Sequence, residues 1–218
     1  MCKQMTANAL RLKEYINSID DFFFVEPEVC PYMNHIGAIL TDAILQSGVN
    51  YKFVVWPRVQ HILNTYPFAN TVSSFIEVLD DYGAANVLHL ANKAKTTRLY
   101  SLAHFFQNNG IETTRHLKEF LKTDANIEIL KSINGIGDKT CDYLKRLLGF
   151  DVVAVDRHLK SFIENADIIY NDYNDIKDVV EFAADFMDCT RRMLDYSIWN
   201  YMAGKNLKKE IQLSIDFC

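Results

Sequence analysis

The chain has 218 residues, of which 49% are apolar and 23% charged, and its formal net charge at pH 7 is −5. This composition provides enough apolar material for a core and so argues against disorder, while only 8 Gly and 4 Pro exclude collagen-like and low-complexity classes. Because helix breakers are so few, long helices are favoured over many short strands, and we predict an all-α fold.

The first predicted helix covers residues 5–18, and a connector interrupted by two prolines follows it. The apolar stretch from His35 to Leu45 is too long for a strand and predicts a buried helix. Another helix follows with Pro57 in its first turn. Further helices are predicted over residues 71–81, 84–91, 93–109 and 112–122. A short helix then begins at Asp124, which with Glu128 resembles a capping box.

Charge is unevenly distributed along the chain. Residues 88–122 contain six basic residues against Glu112 and Glu119, whereas residues 166–195 contain eight acidic residues against three basic ones. A basic face on an acidic protein would explain this distribution, and two solvated helix faces of opposite sign would explain it equally well.

Residues 129–148, ILKSINGIGDKTCDYLKRLL, predict two helices joined by a sharp turn. Gly135 and Gly137 allow the reversal, because glycine tolerates positive φ. They also leave backbone amides uncovered at the start of the second helix, where the helix dipole adds to their attraction for an anion such as phosphate. A hairpin whose glycines serve only the turn would have the same spacing.

Two ionisable residues stand beside this hairpin in the sequence. Lys139 falls in the first turn of the second helix, where the dipole disfavours a cation, so it indicates a phosphate contact or a nucleophile that the dipole helps to keep neutral. Asp156, 17 residues later, precedes a helical pattern and is predicted to cap it. A carboxylate held ionised by backbone amides would also suit a reacting cation nearby, and capping alone is the alternative.

Residues 135–140 (GIGDKT) followed by residues 155–158 (VDRH) resemble the helix-hairpin-helix signature of the endonuclease III and oxoguanine DNA glycosylase superfamily. The resemblance implies that Lys139 is the Schiff-base lysine and Asp156 the catalytic aspartate. It extends more loosely over about residues 36–205, through residues 95–99 and 194–199. The four-cysteine cluster of endonuclease III is missing, so no iron–sulfur cluster is implied.

The resemblance further implies two helical subdomains with an active-site cleft between them. Residues 36–149 would form a continuous subdomain with the helix-hairpin-helix at about 126–149, and residues 1–35 with 150–218 would form the second. The implied activity is removal of a damaged base from double-stranded DNA, with oxidised guanine as the first candidate and oxidised pyrimidine as the second. Cleavage of the abasic site through a lysine Schiff base would accompany it.

Two alternatives stay open at this point. One is a monofunctional glycosylase in which Lys139 contacts phosphate, and the other is a non-catalytic helix-hairpin-helix protein that only binds DNA. We expect no required cofactor, although the resemblance admits a monovalent cation at the hairpin, and we expect no metal site.

Further DNA contacts are expected from residues of the hairpin and from nearby basic or polar positions. These are Asn134, Gly135, Ile136, Gly137, Thr140, Lys95, Arg98, Arg157 and His158. The candidates for a duplex wedge or a base pocket are Gln46, Ser47, Asn50 and Trp56. Most of the 14 Phe and 11 Tyr are attributed to the core, and they are not interpreted as a stacking platform.

No apolar run approaches the roughly 18 residues of a membrane span. The N-terminus carries charges where a signal peptide needs an apolar run. We therefore expect an intracellular monomer without a membrane partner, located in the cytoplasm or nucleoid, or in the nucleus of a eukaryote. Five scattered cysteines without a C-x-x-C pair predict neither disulfides nor a zinc site.

Overall fold

A computed structural model describes the backbone of residues 3–216 and the side chains of residues 3–205. The described residues form twelve α-helices and one π-helical turn, with no strand among them, so the all-α prediction is confirmed. The elements are α1 (Lys3–Asn17), α2 (Ile36–Leu45), the π turn (Tyr51–Val55), α3 (Trp56–Thr65), α4 (Val72–Tyr82), α5 (Ala84–Val87), α6 (Lys93–Asn108), α7 (Thr114–Phe120), α8 (Asp124–Lys131), α9 (Asp138–Leu147), α10 (Arg157–Asn165), α11 (Tyr173–Phe186) and α12 (Arg191–Asp216).

The chain divides into two compact units. One is continuous and covers residues 30–150, and the other combines residues 1–29 with residues 151–218. The boundaries predicted from the sequence, after residues 35 and 149, lie close to these divisions and stay a prediction. Each unit is described separately below.

Helix α2 forms the centre of the continuous unit. All ten of its residues are buried, and it packs against α3, α4, α6 and α9. A helix that carries apolar residues on every side requires such an enclosed position, since any exposed face would place apolar surface in water. The approach is close at Gly37, where an added β-carbon would lie 2.8 Å from the ring of Phe75 and 2.9 Å from the carbonyl oxygen of Ala69.

The discontinuous unit has its own core. Helix α1 packs along α11, and both α10 and α11 pack against α12. Side chains of α12 also fasten two extended segments: Asp195 accepts a hydrogen bond from the amide of Ala154 at 3.1 Å, and Ser197 Oγ accepts one from the amide of Val25 at 2.9 Å. The bond to Ala154 fixes the segment that leads directly into α10.

Several local predictions differ from the structure in their bounds. The helix predicted over 84–91 is a single turn, because the chain leaves the helical region at His89, where φ is +46°. The helix predicted over 112–122 begins at Thr114 and ends at Phe120. The capping box at Asp124 is wrong, because Asp124 is already inside α8 and the cap residue, Thr123, makes no side-chain capping bond.

Candidate functional site

The predicted hairpin consists of α8, a tight turn and α9. Gly135 has φ +84°, which confirms the need for glycine in the reversal. Gly137 is the N-cap of α9, and its carbonyl accepts hydrogen bonds from the amides of Thr140 and Cys141 at 3.0 and 3.1 Å. Because glycine has no side chain, no side-chain capping bond covers the first turn of α9, and Gly137 is exposed.

Two side chains brace this turn from outside it. Arg98 of α6 donates from Nε to the carbonyl of Asn134 at 3.3 Å. Lys131, the last residue of α8, forms ion pairs with Glu128 at 3.0 Å and with Asp138 at 2.6 Å, and so connects the end of α8 to the start of α9. Hydrogen bonds to Asp138 and then to Glu128 raise the pKa of Lys131 above its ordinary value. Of the turn residues, Ile136 is buried and Asn134 is exposed.

Lys95 of α6 has a role that the sequence does not predict. Its ammonium group donates to the carbonyls of Leu45 and Ser47 at 2.6 and 2.7 Å, where it closes the C-terminal end of α2. Carbonyls at a helix C-terminus lack partners within the helix and attract cations. A DNA contact by Lys95 remains a prediction, and its ammonium already has these two acceptors within the protein.

Lys95 lies close to three other positively charged side chains. Burial lowers the pKa of Lys95, and the charges of Arg98, Arg58 and Lys139 lower it further. These four residues, here called the basic cluster, come from α3, α6 and α9, and the other three lie close enough to Lys95 to influence it. On a chain of net charge −5, they concentrate positive charge beside the hairpin.

Beneath the hairpin lies a group that sequence reasoning missed. Asp42 of α2 is fully buried, and its carboxylate accepts hydrogen bonds from the hydroxyls of Tyr32, of Tyr51 at 3.1 Å and of Tyr143 at 3.0 Å. We call these four residues the tyrosine–aspartate cluster. Burial raises the pKa of Asp42, although the three hydroxyl bonds act in the opposite direction. The lone charged residue in the apolar sequence IGAILTDAIL was the signal available in the sequence.

The tyrosine–aspartate cluster connects α2 to the helix that carries Lys139. Tyr143 follows Lys139 by four residues, so both lie on one face of α9. Arg146, three residues further, places its guanidinium 4.8 Å from the centre of the Tyr143 ring. The buried hydroxyl bond from Tyr143 to Asp42 therefore fixes the rotation of α9 about its axis.

In the discontinuous unit, Asp156 is the N-cap of α10, as predicted. Its Oδ1 accepts hydrogen bonds from the amides of His158 and Leu159 at 2.9 and 3.0 Å. The amide of the preceding residue, Val155, donates to the hydroxyl of Tyr173 at 3.1 Å. The carboxylate thus stands at the end of a braced segment, half-buried, with one oxygen held by two amides.

The neighbours predicted beside Asp156 have different surroundings. Arg157 is exposed, whereas His158 is half-buried with its ring edge-to-face on Trp199 at 6.3 Å. Trp199 in turn stacks on Tyr196 at 6.0 Å between ring centres. His158 is therefore part of an aromatic group of α10 and α12.

The four wedge or pocket candidates have different local contacts, and their role stays a prediction. Gln46 and Ser47 lie at the end of α2 beside Lys95, and Nε2 of Gln46 is buried with no hydrogen-bond partner among the described residues. Asn50 caps the π turn by accepting from the amide of Phe53 at 3.2 Å. The Trp56 ring lies 6.0 Å from that of Tyr32, at the tyrosine–aspartate cluster.

The described residues thus define an all-α protein in which a glycine hairpin and a cluster of four cations occupy the same unit. The chain belongs to the family described as a domain of unknown function, DUF8548, which matches residues 25–203 and so includes Lys139 and Asp156. No curated protein and no solved structure matches the chain. The family description assigns no activity, so the resemblance to DNA glycosylases stays a prediction.

Neither a membrane-spanning helix nor a metal-binding group is present among the described residues. No helix among them is long and apolar enough to cross a membrane. Among the side chains that the structure describes, those of residues 3–205, no group of three or more His, Cys, Asp and Glu is arranged to hold a metal ion.

Proposed function

We propose that this protein is a DNA glycosylase that removes a damaged base from duplex DNA and then cleaves the abasic site through an imine on Lys139. The observation that carries the proposal is the position of Lys139. It lies in the uncapped first turn of a glycine hairpin, within a basic cluster on an otherwise acidic chain. A concentration of positive charge around the hairpin favours a polyanionic partner.

The hairpin and the basic cluster would bind the DNA backbone. The amides at the start of α9 suit a phosphate, because the helix dipole and the uncovered N–H groups both favour an anion there. Arg98, fastened to the turn, adds a guanidinium beside the same position. Such contacts bind the backbone without reading the sequence, as an enzyme that searches for a lesion requires.

The chemistry then requires a nucleotide turned out of the stack, since the anomeric carbon is not accessible within the duplex. The neutral amine of Lys139 forms a bond to that carbon, and the base leaves with the electrons of the glycosidic bond and takes up a proton. Opening of the sugar ring yields an imine. Loss of a proton from the adjacent carbon then expels the 3′ phosphate and cuts the strand.

Asp156 would act on the positive charge that develops as the base departs. A carboxylate held by two amides is fixed in orientation, and such a preorganised charge stabilises an oxocarbenium-like transition state without reorganisation. Oxidised guanine is the first candidate substrate and oxidised pyrimidine the second, from the resemblance of residues 135–158 and of the α12 region.

Borohydride trapping on a panel of duplexes, each with a single lesion, tests the proposal. We expect a covalent protein–DNA adduct with wild type and its loss in Lys139→Gln. Lys145→Gln, on the same helix, is the matched control and should retain the adduct. No adduct with any lesion or abasic duplex would overturn the lyase assignment.

The two alternatives give different products in the same assay. Base release without an adduct, with strand cleavage only after alkali, would identify a monofunctional glycosylase in which Lys139 contacts phosphate. Loss of affinity in Lys139→Gln without any base release by wild type would identify a protein that only binds DNA.

A further inference from the structure

Five rings form a continuous row on the surface of the unit that covers residues 30–150. The His89 and His61 rings lie 4.2 Å apart, and the Tyr66 ring lies 5.8 Å from that of His61. Tyr66 in turn contacts Phe68 at 6.3 Å and Tyr82 at 5.9 Å, both measured between ring centres. We call these five residues the ring row.

Three of the five residues of the ring row are exposed to water, and His61 and Tyr66 are half-buried. Phe68 is 58% exposed and Tyr82 57% exposed, and His89 is exposed as well. Contiguous exposed apolar surface usually marks a place where another molecule binds. The separation of these residues in the sequence, from 61 to 89, explains why no motif predicted them.

His89 lies at one end of the ring row, and its backbone conformation is unusual. Its φ of +46° is rare for a residue other than glycine, and such conformations persist only where surrounding contacts hold them. Here Arg58 supplies the contact, since its Nη2 donates to the carbonyl of His89 at 2.9 Å. The strained turn thereby keeps the His89 ring against His61.

Arg58 also connects the ring row to the basic cluster. It precedes His61 by three residues, so the two side chains are neighbours on the same side of α3. Its charge reaches Lys95, as do those of Arg98 and Lys139. Its Nε is buried and has no hydrogen-bond partner among the described residues. Arg58 therefore belongs to the basic cluster by its charge and is bonded to the ring row at His89, and the two groups together form the candidate surface.

We propose that this surface binds an unpaired, single-stranded stretch of DNA, with phosphates along the basic cluster and bases stacked on the ring row. Cations beside aromatic rings are the combination that single-strand binding requires, because every base offers a face for stacking and every nucleotide a negative charge.

The charge of the surface favours a nucleic acid over an apolar protein segment as its occupant. Four cations at one end would attract a polyanion. Burial and the charge of His89 lower the pKa of His61, so the ring in the middle of the row is a neutral stacking surface at pH 7. The inference rests on the proposed function for DNA as the partner, and it adds a separate site for unpaired nucleotides.

Fluorescence anisotropy tests this inference with two labelled probes at one salt concentration. The probes are a single-stranded oligothymidylate of about 12 nucleotides and a blunt duplex of the same length. We expect the double variant Phe68→Ala/Tyr82→Ala to weaken single-strand binding about tenfold or more while the duplex affinity is unchanged. Since both side chains are more than half exposed, the variant should keep the melting temperature of wild type.

Phe23→Ala is the matched control, because Phe23 is a 71% exposed aromatic residue of the other unit. It should bind both probes as wild type does. Equal binding of the single strand by wild type and the double variant would overturn the inference, and so would an equal loss for both probes. In a second variant, Arg58→Gln, one phosphate contact is lost. We therefore expect the negative slope of log affinity against log salt to become shallower by about 0.7 for the single strand.

The result is separable from that of the proposed function. Borohydride trapping reports on Lys139 alone, and the double variant should still form the adduct on a blunt lesion duplex. If wild type forms the adduct and the double variant binds the single strand as tightly as wild type does, only the ring-row inference is rejected. If the double variant loses single-strand affinity but wild type forms no adduct on any lesion, only the glycosylase proposal is rejected.

Discussion

The guanidinium of Arg98 lies directly over the backbone of Gly135. A β-carbon on Gly135 would come within 2.1 Å of Arg98 Nη2, and φ at this glycine is +84°. Two separate reasons therefore require glycine at this position, one steric and one conformational. Through this contact, α6 supports the turn that precedes α9.

The first prediction separates these two reasons by substitution. Gly135→Ala should lower the free energy of unfolding by about 1 kcal/mol or more from backbone strain alone, with an added cost from displacement of Arg98. In the Arg98→Ala background only the strain remains, so the cost should fall. Urea denaturation of the four proteins measures both values.

Gly110→Ala provides the reference for strain without a clash, because Gly110 has φ +69° and a β-carbon there meets no described atom within 4 Å. Its cost should equal that of Gly135→Ala in the Arg98→Ala background. If Gly135→Ala lowers the free energy of unfolding equally with and without Arg98, the Arg98 side chain moves aside without an energetic cost.

The second prediction concerns the other glycine of the hairpin. Gly137 has φ −125°, which any residue adopts, and an added β-carbon meets no described atom within 4 Å. Gly137→Ala should therefore change the free energy of unfolding by less than about 0.5 kcal/mol. Yet the methyl group would stand where a phosphate approaches the first turn of α9, so duplex affinity should fall severalfold. Unchanged affinity by anisotropy would remove this turn from the DNA interface.

The third prediction distinguishes capping from chemistry at Asp156. Asparagine is as good an N-cap as aspartate, so Asp156→Asn should preserve the fold, whereas Asp156→Ala should lose about 0.5–2 kcal/mol. Both variants lack the carboxylate charge and should release the damaged base more slowly by orders of magnitude. Single-turnover base release, with urea denaturation in parallel, measures the two effects. An Asp156→Asn variant as fast as wild type would leave Asp156 with the capping role alone.

The local features of the site could be predicted from the sequence because neighbouring residues determine them. The turn at Gly135, the start of α9 before Lys139 and the cap at Asp156 each depend on a few consecutive residues. The tyrosine–aspartate cluster could not, since the bond from Tyr143 to Asp42 joins residues 101 positions apart. The ring row likewise depends on the tertiary fold, which places the exposed His89 ring on that of His61.

The fourth prediction tests the buried bond between α9 and α2. Tyr143→Phe removes the hydroxyl that donates to Asp42 at 3.0 Å and leaves a fully buried carboxylate with one donor fewer. We expect a loss of about 1.5–3 kcal/mol in the free energy of unfolding. Tyr170→Phe is the control, because its hydroxyl donates to Glu164 at 2.7 Å in an exposed position, and it should cost under about 0.5 kcal/mol. Equal effects of the two substitutions would mean that the buried bond contributes nothing specific.

The fifth prediction follows from the raised pKa of Asp42. The ordinary value for an aspartate is 3.8, and burial makes the folded protein hold the proton at a higher pH than the unfolded chain does. The folded state therefore binds more protons above pH 3.8, and its stability falls as the pH rises, by up to about 1.4 kcal/mol per pH unit, until the folded pKa is passed.

Asp42→Asn removes this titration. The free energy of unfolding of the variant minus that of wild type should therefore increase as the pH rises from about 4 to about 8. Groups that titrate identically in the two proteins cancel in this difference, and a constant loss from altered hydrogen bonds shifts it without changing its slope. Urea denaturation at several pH values measures the slope. A flat difference would mean that Asp42 ionises as readily inside its ring of hydroxyls as it does in water.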